Sequence, residues 1–285
     1  MLSTLSKLAL LFFILQTASK RSPLLRYVLR TLGLVASIAI AGVLACLASL
    51  ILVPLQQRFY VNAINAYFFR LFCPLFTGIQ AEIVSGHDYL EHTPGKPCIY
   101  VANHQSTLDL MVISTVWPSR TVISGKKEIK YIPIMGQVLW AGSNIFIDRQ
   151  NRKNAIDAMT QVGNRMKKDD LNFFIFPEGT RSHQIDNTLL PFKKGAFHLA
   201  KQFGYPIVPI VSSTYYPAYD EKRKLFNDAT IQVKGTTIHL IPVLPPIDST
   251  DESKSVNDLV KETHDAMSQA LKDIKTVCHG KKKIQ

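Results

Sequence analysis

No aspartate or glutamate precedes Glu82, whereas Lys7, Lys20, Arg21, Arg26, Arg30, Arg58 and Arg70 all do. This excludes an acidic N-terminal tail and leaves a basic segment suited to an anionic membrane surface. Cysteine is scarce. Cys46, Cys73, Cys98 and Cys278 share no metal-ligand spacing and build no disulfide framework. They read as small apolar fillers in a reducing compartment. The histidines His87, His92, His183, His198, His239, His264 and His279 also have no partner at metal-ligand spacing, so no metal is expected. Phosphate-loop, G-x-G-x-x-G and G-x-S-x-G patterns are all missing, which argues against P-loop NTPases, dinucleotide enzymes and lipase-type hydrolases. The net charge is +12, but no zinc-finger spacing or RNA-binding signature accompanies it, so no nucleic acid is expected as a partner.

What is abundant is apolar surface, at 47% of the residues. Residues 31–55 run without a charge, and about 20 apolar residues suffice to cross a bilayer core. With no polar face in the run, a transmembrane helix is the expectation. A shorter apolar run, 8–15, follows Lys7. It has the size of a signal-peptide core, but Gln16–Lys20 is a poor cleavage site, so a retained anchor is preferred. Four basic residues from Lys20 to Arg30 separate the runs and place that loop on the cytosolic face. Whether the shorter run also spans, and so on which side the rest of the chain starts, stays open. Residues 57–78 are rich in aromatics and read either as an interfacial amphipathic helix or as a core helix. The chain ends Lys282-Lys283-Ile284-Gln285, which resembles a dilysine retrieval signal of endoplasmic-reticulum proteins.

From about residue 80 onward, short β-branched and aromatic runs alternate with helical periodicity. Strands are expected near 82–85, 98–102, 121–124, 172–176, 207–211 and 231–243, and helices near 107–116, 151–168, 195–203 and 256–275. In the last helix Val256, Leu259, Thr263, Met267, Leu271 and Ile274 make one apolar stripe. The fold class that follows is α/β: a mixed, mostly parallel central sheet flanked by helices, with an N-terminal membrane-embedded helical segment.

Two polar motifs each follow an apolar strand: Asn103-His104-Gln105-Ser106-Thr107-Leu108-Asp109 and Phe176-Pro177-Glu178-Gly179-Thr180-Arg181-Ser182. Ends of neighbouring strands are where an α/β enzyme carries its chemistry. Ser106-Thr107-Leu108-Asp109 has capping-box spacing, with Ser106 as N-cap and Asp109 at the third helical position. Inside one continuous helix His104 and Asp109 would point about 140° apart. Across a loop-to-helix junction they can meet, His104 as general base and Asp109 as the group that fixes its tautomer. Arg181 offers a planar fork for a phosphate monoester, and Glu178 is expected to orient Arg181 or the loop backbone.

His-x4-Asp followed by Phe-Pro-Glu-Gly-Thr-Arg-Ser resembles the glycerolipid acyltransferases, and within them the eukaryotic 1-acylglycerol-3-phosphate acyltransferases, over roughly residues 60–245. The resemblance implies transfer of an acyl group from acyl-CoA, as co-substrate, to the sn-2 hydroxyl of lysophosphatidic acid. The catalytic pair is then His104 and Asp109, with no other cofactor. The motif Glu178, Gly179, Thr180 and Arg181 would bind the glycerol phosphate, and Lys126 or Lys127 its phosphate. Gly142 to Arg149 matches the family's second motif, which makes Gly142 and Arg149 acceptor-binding candidates. Val208 to Val211 matches its apolar fourth motif. The chain then divides into a membrane anchor at 1–80, a catalytic domain at 81–250, and a C-terminal amphipathic helix with a basic tail at 251–285. Membrane lipid is an expected partner, and the expected location is the endoplasmic reticulum membrane, or also the lipid droplet. Another acceptor, glycerol 3-phosphate or a head-grouped lysolipid, would use the same motifs. A non-catalytic lipid-binding protein on the same fold is the alternative of another class, and the intact motif residues argue against it.

Overall fold

In the computed structural model the described residues are 6–7, 17–19, 21–91, 94–147, 152–184, 186, 188–216, 218–226, 232–233 and 236–280. The apolar run 8–15, Arg149 and the Lys282-Lys283 pair lie outside them.

The centre is a five-stranded parallel sheet built from β2 (Ile99–Ala102), β3 (Thr121–Lys126), β4 (Ile145–Ile147), β5 (Asn172–Ile175) and β6 (Ile207–Ile210), in the spatial order β4-β3-β5-β2-β6. The inner strand β2 is covered on both faces, and reads as an unbroken apolar run, Ile99-Tyr100-Val101-Ala102. The side chains still alternate between layers. Ile99 and Val101 pack with one core, Tyr100 and Ala102 with the other. Pro209 sits on edge strand β6, where its missing N–H disrupts no inner ladder.

A second, smaller sheet pairs β1 (Ile79–Ser85) in parallel with β10 (Thr236–Pro242), which in turn pairs antiparallel with β9 (Gln232–Val233). Isolated bridges from Ile210 to Val243 and from Ile207 to Ile247 tie its end to β6. A short hairpin, β7 (Tyr219–Asp220) and β8 (Leu225–Phe226), completes the strands.

One face of the main sheet is covered by α5 (Arg152–Asp169), α6 (Gly195–Phe203) and α7 (Val256–Gly280). The stripe expected on α7 is its buried face: Leu259, Thr263, Met267, Leu271 and Ile274 are all inside. The helix starts at a reciprocal cap, Ser255 N–H donating to Asp258 Oδ2 at 2.8 Å and Asp258 N–H to Ser255 Oγ at 3.3 Å. The other face carries α1 (Pro23–Leu52), α2 (Phe59–Thr77) and α3 (Asp109–Val116), with α4 (Met135–Ala141) alongside. A parallel central sheet between helices, with antiparallel pairing only in the smaller sheet, the hairpin and the isolated bridges, is therefore the observed α/β architecture.

α1 begins at Pro23, behind an Ser22 cap, and so includes Arg26 and Arg30 ahead of the uncharged run. At 30 residues it is about 45 Å long, long and apolar enough to cross a bilayer. Its two sides differ by size. Apart from Leu34 the buried residues are small, Gly33, Ser37, Ala41, Gly42 and Ala45, while Leu24, Leu32, Leu47 and Leu50 face out. The small stripe lets α2 approach closely: a Cβ on Gly33 would stand 2.6 Å from Phe76 Cβ. On α2, Val61, Asn62, Ala66, Phe69 and Cys73 are buried, but Tyr60, Tyr67, Leu71 and Leu75 are exposed. One face is thus that of a core helix, and the other is an open aromatic and aliphatic surface.

Four elements had no expected counterpart: the three-residue strand β4, the short helix α4 and the two-residue strands β7 and β8. None is long enough to display a period. The expected strand over 231–243 is instead two, β9 and β10.

Candidate active site

The register of the parallel sheet assembles the site. β2 pairs with β5 through Val101 and Ile175, and with β6 through Ala102 and Ile210. The loops leaving the carboxyl ends of these three strands therefore start side by side. The first carries His104, the second Glu178 and Arg181, the third Ser212 to Tyr215. β3 ends beside them at Lys126.

His104 and Asp109 meet as the spacing required. His104 Nδ1 lies 2.5 Å from Asp109 Oδ2. Asp109 is 3% exposed, and its Oδ2 also accepts from the backbone N–H of Gln105 at 2.7 Å and of Ser106 at 3.1 Å. The expected capping box is half formed. The carboxylate does reach back to Ser106 N–H, but the Ser106 hydroxyl accepts from Leu108 N–H at 3.1 Å and not from Asp109. The reason is that the entry turn is tight, Asp109 N–H donating to Ser106 O at 3.2 Å, so the helix proper starts at Asp109. With Nδ1–H turned to the carboxylate, Nε2 carries the lone pair. The ring stacks on Phe176, centroids 4.1 Å apart, and is 22% exposed.

The backbone of His104 is held as firmly as its ring. Its N–H donates to Glu178 Oε1 at 2.7 Å, and its carbonyl accepts from Ser182 N–H at 2.8 Å. Glu178 Oε2 accepts from Leu190 N–H at 3.1 Å. Of the two roles expected for Glu178, the structure has the loop-backbone one: no bond joins it to Arg181, because the carboxylate is buried beneath the loop and the guanidinium lies outside. Burial pushes the Glu178 carboxyl up, against the lowering pull of the two backbone N–H groups and of His104.

Gly179 turns the chain at φ 69°, and a Cβ there would also stand 2.7 Å from Lys193 Cε. The left-handed turn is what requires glycine, since the flexible end of Lys193 would move aside. Thr180 is exposed and, like Gly179 and Glu178, does not line the groove described below. Arg181 does line it, at the mouth, with Nη1 3.7 Å from Glu221 Oε1 on the turn after β7. Lys126 lines the same groove, its Nζ 3.9 Å from Glu128. Lys127 is exposed on the following 3-10 turn, outside the lining.

Gly142 also lies outside the lining, behind α4. Its carbonyl accepts from Asn62 Nδ2 at 3.0 Å, and Asn62 exchanges two further bonds with Asn144. A Cβ on Gly142 would stand 2.1 Å from Asn62 Oδ1. Gly142→Ala is therefore expected to destabilise the protein by about 2–3 kcal/mol, as overpacking of a buried contact does, in denaturant unfolding. An unchanged midpoint would show that the asparagine pair can shift without cost.

The groove encloses about 400 Å³ between α1, α2, α3 and α4. Its walls are apolar, among them Ile38, Phe69, Ile113, Ile134, Val138 and Leu139, and its polar mouth holds His104, Lys126 and Arg181. An apolar cavity with a few convergent polar groups at one end suits a ligand with a hydrocarbon tail and an anionic head.

Three side chains complete the site in roles that the sequence did not announce, two from the first motif and one, Tyr215, from outside both motifs. Asn103 is bonded twice to the backbone of Ser212, Gln105 Nε2 donates to the carbonyls of Ser212 and Ser213, and Tyr215 Oη donates to Asp109 Oδ1 at 2.7 Å. All three contacts span more than 100 residues of sequence, which no local pattern reports.

The family model described as Acyltransferase matches residues 83–213. The chain is 32% identical over 249 residues to the 1-acyl-sn-glycerol-3-phosphate acyltransferase of Saccharomyces cerevisiae, covering 87% of this chain and 78% of that protein. Against the protein of the same name from Haemophilus influenzae it is 34% identical over 215 residues, covering 75% and 82%. The crystal structure of the 1-acyl-sn-glycerophosphate (LPA) acyltransferase PlsC from Thermotoga maritima has the same fold, with a TM-score of 0.69 at 21% identity, over 90% of this chain and 97% of that one. A histidine–aspartate pair and an arginine at the mouth of an apolar groove, together with relatives that align along most of their own length, show that this chain belongs to the 1-acyl-sn-glycerol-3-phosphate acyltransferase family.

Proposed function

We propose that this protein transfers a fatty acyl group from acyl-CoA to the sn-2 hydroxyl of 1-acylglycerol 3-phosphate, forming phosphatidic acid. The observation that carries this reading is the placement of the His104–Asp109 pair at the mouth of the apolar groove, beside Arg181 and Lys126. The lysolipid tail enters the groove and its phosphate meets the two cations. Nε2 of His104 takes the proton of the sn-2 hydroxyl as its oxygen attacks the thioester carbonyl. Asp109 stabilises the imidazolium that forms. The tetrahedral intermediate collapses, the carbon–sulfur bond breaks, and the imidazolium proton passes to the departing CoA thiolate. The hydroxyl nucleophile belongs to the substrate, so no serine is required, and no metal or redox group enters the scheme.

The substrate and product are lipids, and the outward apolar faces of α1 and α2 fit work at a bilayer. We assign the protein to the endoplasmic reticulum membrane, with the lipid droplet surface compatible.

The test is acyl transfer by detergent-solubilised protein from labelled acyl-CoA to 1-acylglycerol 3-phosphate, to glycerol 3-phosphate, or to a choline-headed lysolipid. Label in phosphatidic acid is the expected result. Label with another acceptor and none with 1-acylglycerol 3-phosphate would keep the chemistry and overturn the acceptor. Arg181→Ala should raise KM for the lysolipid about 10–100-fold with a smaller change in kcat, since a bidentate charge-assisted contact is lost. A KM within twofold of wild type would remove Arg181 from the phosphate site.

A further inference from the structure

Asp109 has two oxygens, and they are used differently. Oδ2 accepts from the His104 ring and from two backbone N–H groups. Oδ1 accepts from Tyr215 Oη at 2.7 Å. Tyr215 is 3% exposed and stands on a loop that the first motif itself ties down. Asn103 Nδ2 donates to Ser212 O at 3.0 Å, and Ser212 N–H donates to Asn103 Oδ1 at 2.8 Å. Gln105 Nε2 donates to Ser212 O at 2.9 Å and to Ser213 O at 3.0 Å. Two residues that flank the histidine thus hold the loop whose tyrosine returns to the aspartate behind that histidine.

We infer that Tyr215 is a positioning residue for the acyl transfer: its hydroxyl, bonded to Asp109 Oδ1, sets the rotation of the carboxylate and tempers the charge it presents to His104. This rests on the general-base reading of His104. A phenol donating to one oxygen makes the carboxylate a weaker base. The His104–Asp109 proton then stays on Nδ1, which leaves the Nε2 lone pair facing the substrate hydroxyl. Burial and the Asp109 charge push the Tyr215 hydroxyl well above an ordinary phenol, so it is a protonated donor at neutral pH. The other charged or titratable groups nearby are Glu178 on the β5 loop, Arg181 and Lys126 at the groove mouth, and His183, Tyr216, Tyr219, Asp220 and Glu221, which line a small cleft with Tyr215. None of these is bonded to Oδ1.

Tyr215→Phe keeps the ring and removes the bond. Acyl transfer to 1-acylglycerol 3-phosphate is expected to lose about 10–100-fold in kcat near neutral pH, the range for a hydrogen bond to a charged group, with KM changed less than about threefold. The acid limb of kcat/KM should move to higher pH by about 0.5–1 unit, because a less compensated Asp109 holds the imidazolium proton more tightly. In an Asp109→Asn background the same change should cost less than about threefold, since the two act through one bond. An unmoved or lowered limb overturns the inference, as does an equal loss in both backgrounds accompanied by a lower melting temperature, which is what a packing role would give. Full turnover by His104→Ala, assayed alongside, would overturn the general-base reading beneath it. Loss of activity in His104→Ala with a wild-type profile in Tyr215→Phe would overturn the role of Tyr215 alone.

Discussion

His104→Ala is expected to lower kcat for acyl transfer by about 10²–10⁴-fold, the usual contribution of a positioned general base. KM for the lysolipid should change little, because the groove walls and the two cations at its mouth do not depend on the imidazole. Much of the architecture survives the substitution. The His104 backbone bonds to Glu178 and Ser182 need no side chain, and Asp109 Oδ2 keeps two backbone donors. What is lost is the ring on Phe176 and one bond to Asp109, so the variant should fold and melt near wild type. The measurement is steady-state transfer with labelled acyl-CoA beside a melting curve. A folded variant within threefold of wild-type kcat would rule out His104 as the base.

Glu178→Ala should damage both activity and fold. The side chain accepts the N–H of His104 and the N–H of Leu190, and so clamps the catalytic loop to the chain that follows the second motif. Its removal leaves two backbone donors without their acceptor in a mostly buried place. At about 1–3 kcal/mol for each, the stability loss is on the order of 2–6 kcal/mol. Activity should fall by about 100-fold or more, since a shift of 1 Å at the base is enough for a loss of that size. The isostere separates charge from shape. Burial raises the Glu178 carboxyl above its usual range. A group with a raised folded value contributes stability at pH below its unfolded value, and that contribution is lost as pH rises through the folded value. Glu178→Gln has no such dependence, so its melting temperature relative to wild type should improve from about pH 4 to about pH 7. A constant difference across that range would show that the carboxylate is ionised as readily here as in water.

Some elements were legible because their signal is local. The α7 stripe from Val256 to Ile274 repeats at the helical period, and the apolar strands β2 and β6 and the Phe173-Phe174-Ile175 run of β5 stand out by composition. The five-residue gap between His104 and Asp109 carried its own geometric condition, a helix starting between them, and the 2.5 Å contact meets it. β4 and α4 escaped because three and seven residues are too short for a period to emerge. Only the structure shows that Glu178 clamps two backbone N–H groups and that Gly142 packs against a buried asparagine pair. Motif membership reports that a residue matters at a site. It does not say whether the side chain faces the ligand or the protein.

By itself, then, the sequence determined the parallel α/β sheet, the apolar N-terminal helix, and the histidine, aspartate and arginine at strand ends, because each rests on periodicity, composition or short spacing. The tertiary structure decided what those residues touch. Strand register brings the loops after β2, β5 and β6 together, so the partners of His104 and Asp109 come from Glu178 and Tyr215, which are 74 and 106 positions away. The groove likewise exists only once α1 and α2 close against α3 and α4. Contacts of that separation are set by how layers pack, which a linear pattern does not encode.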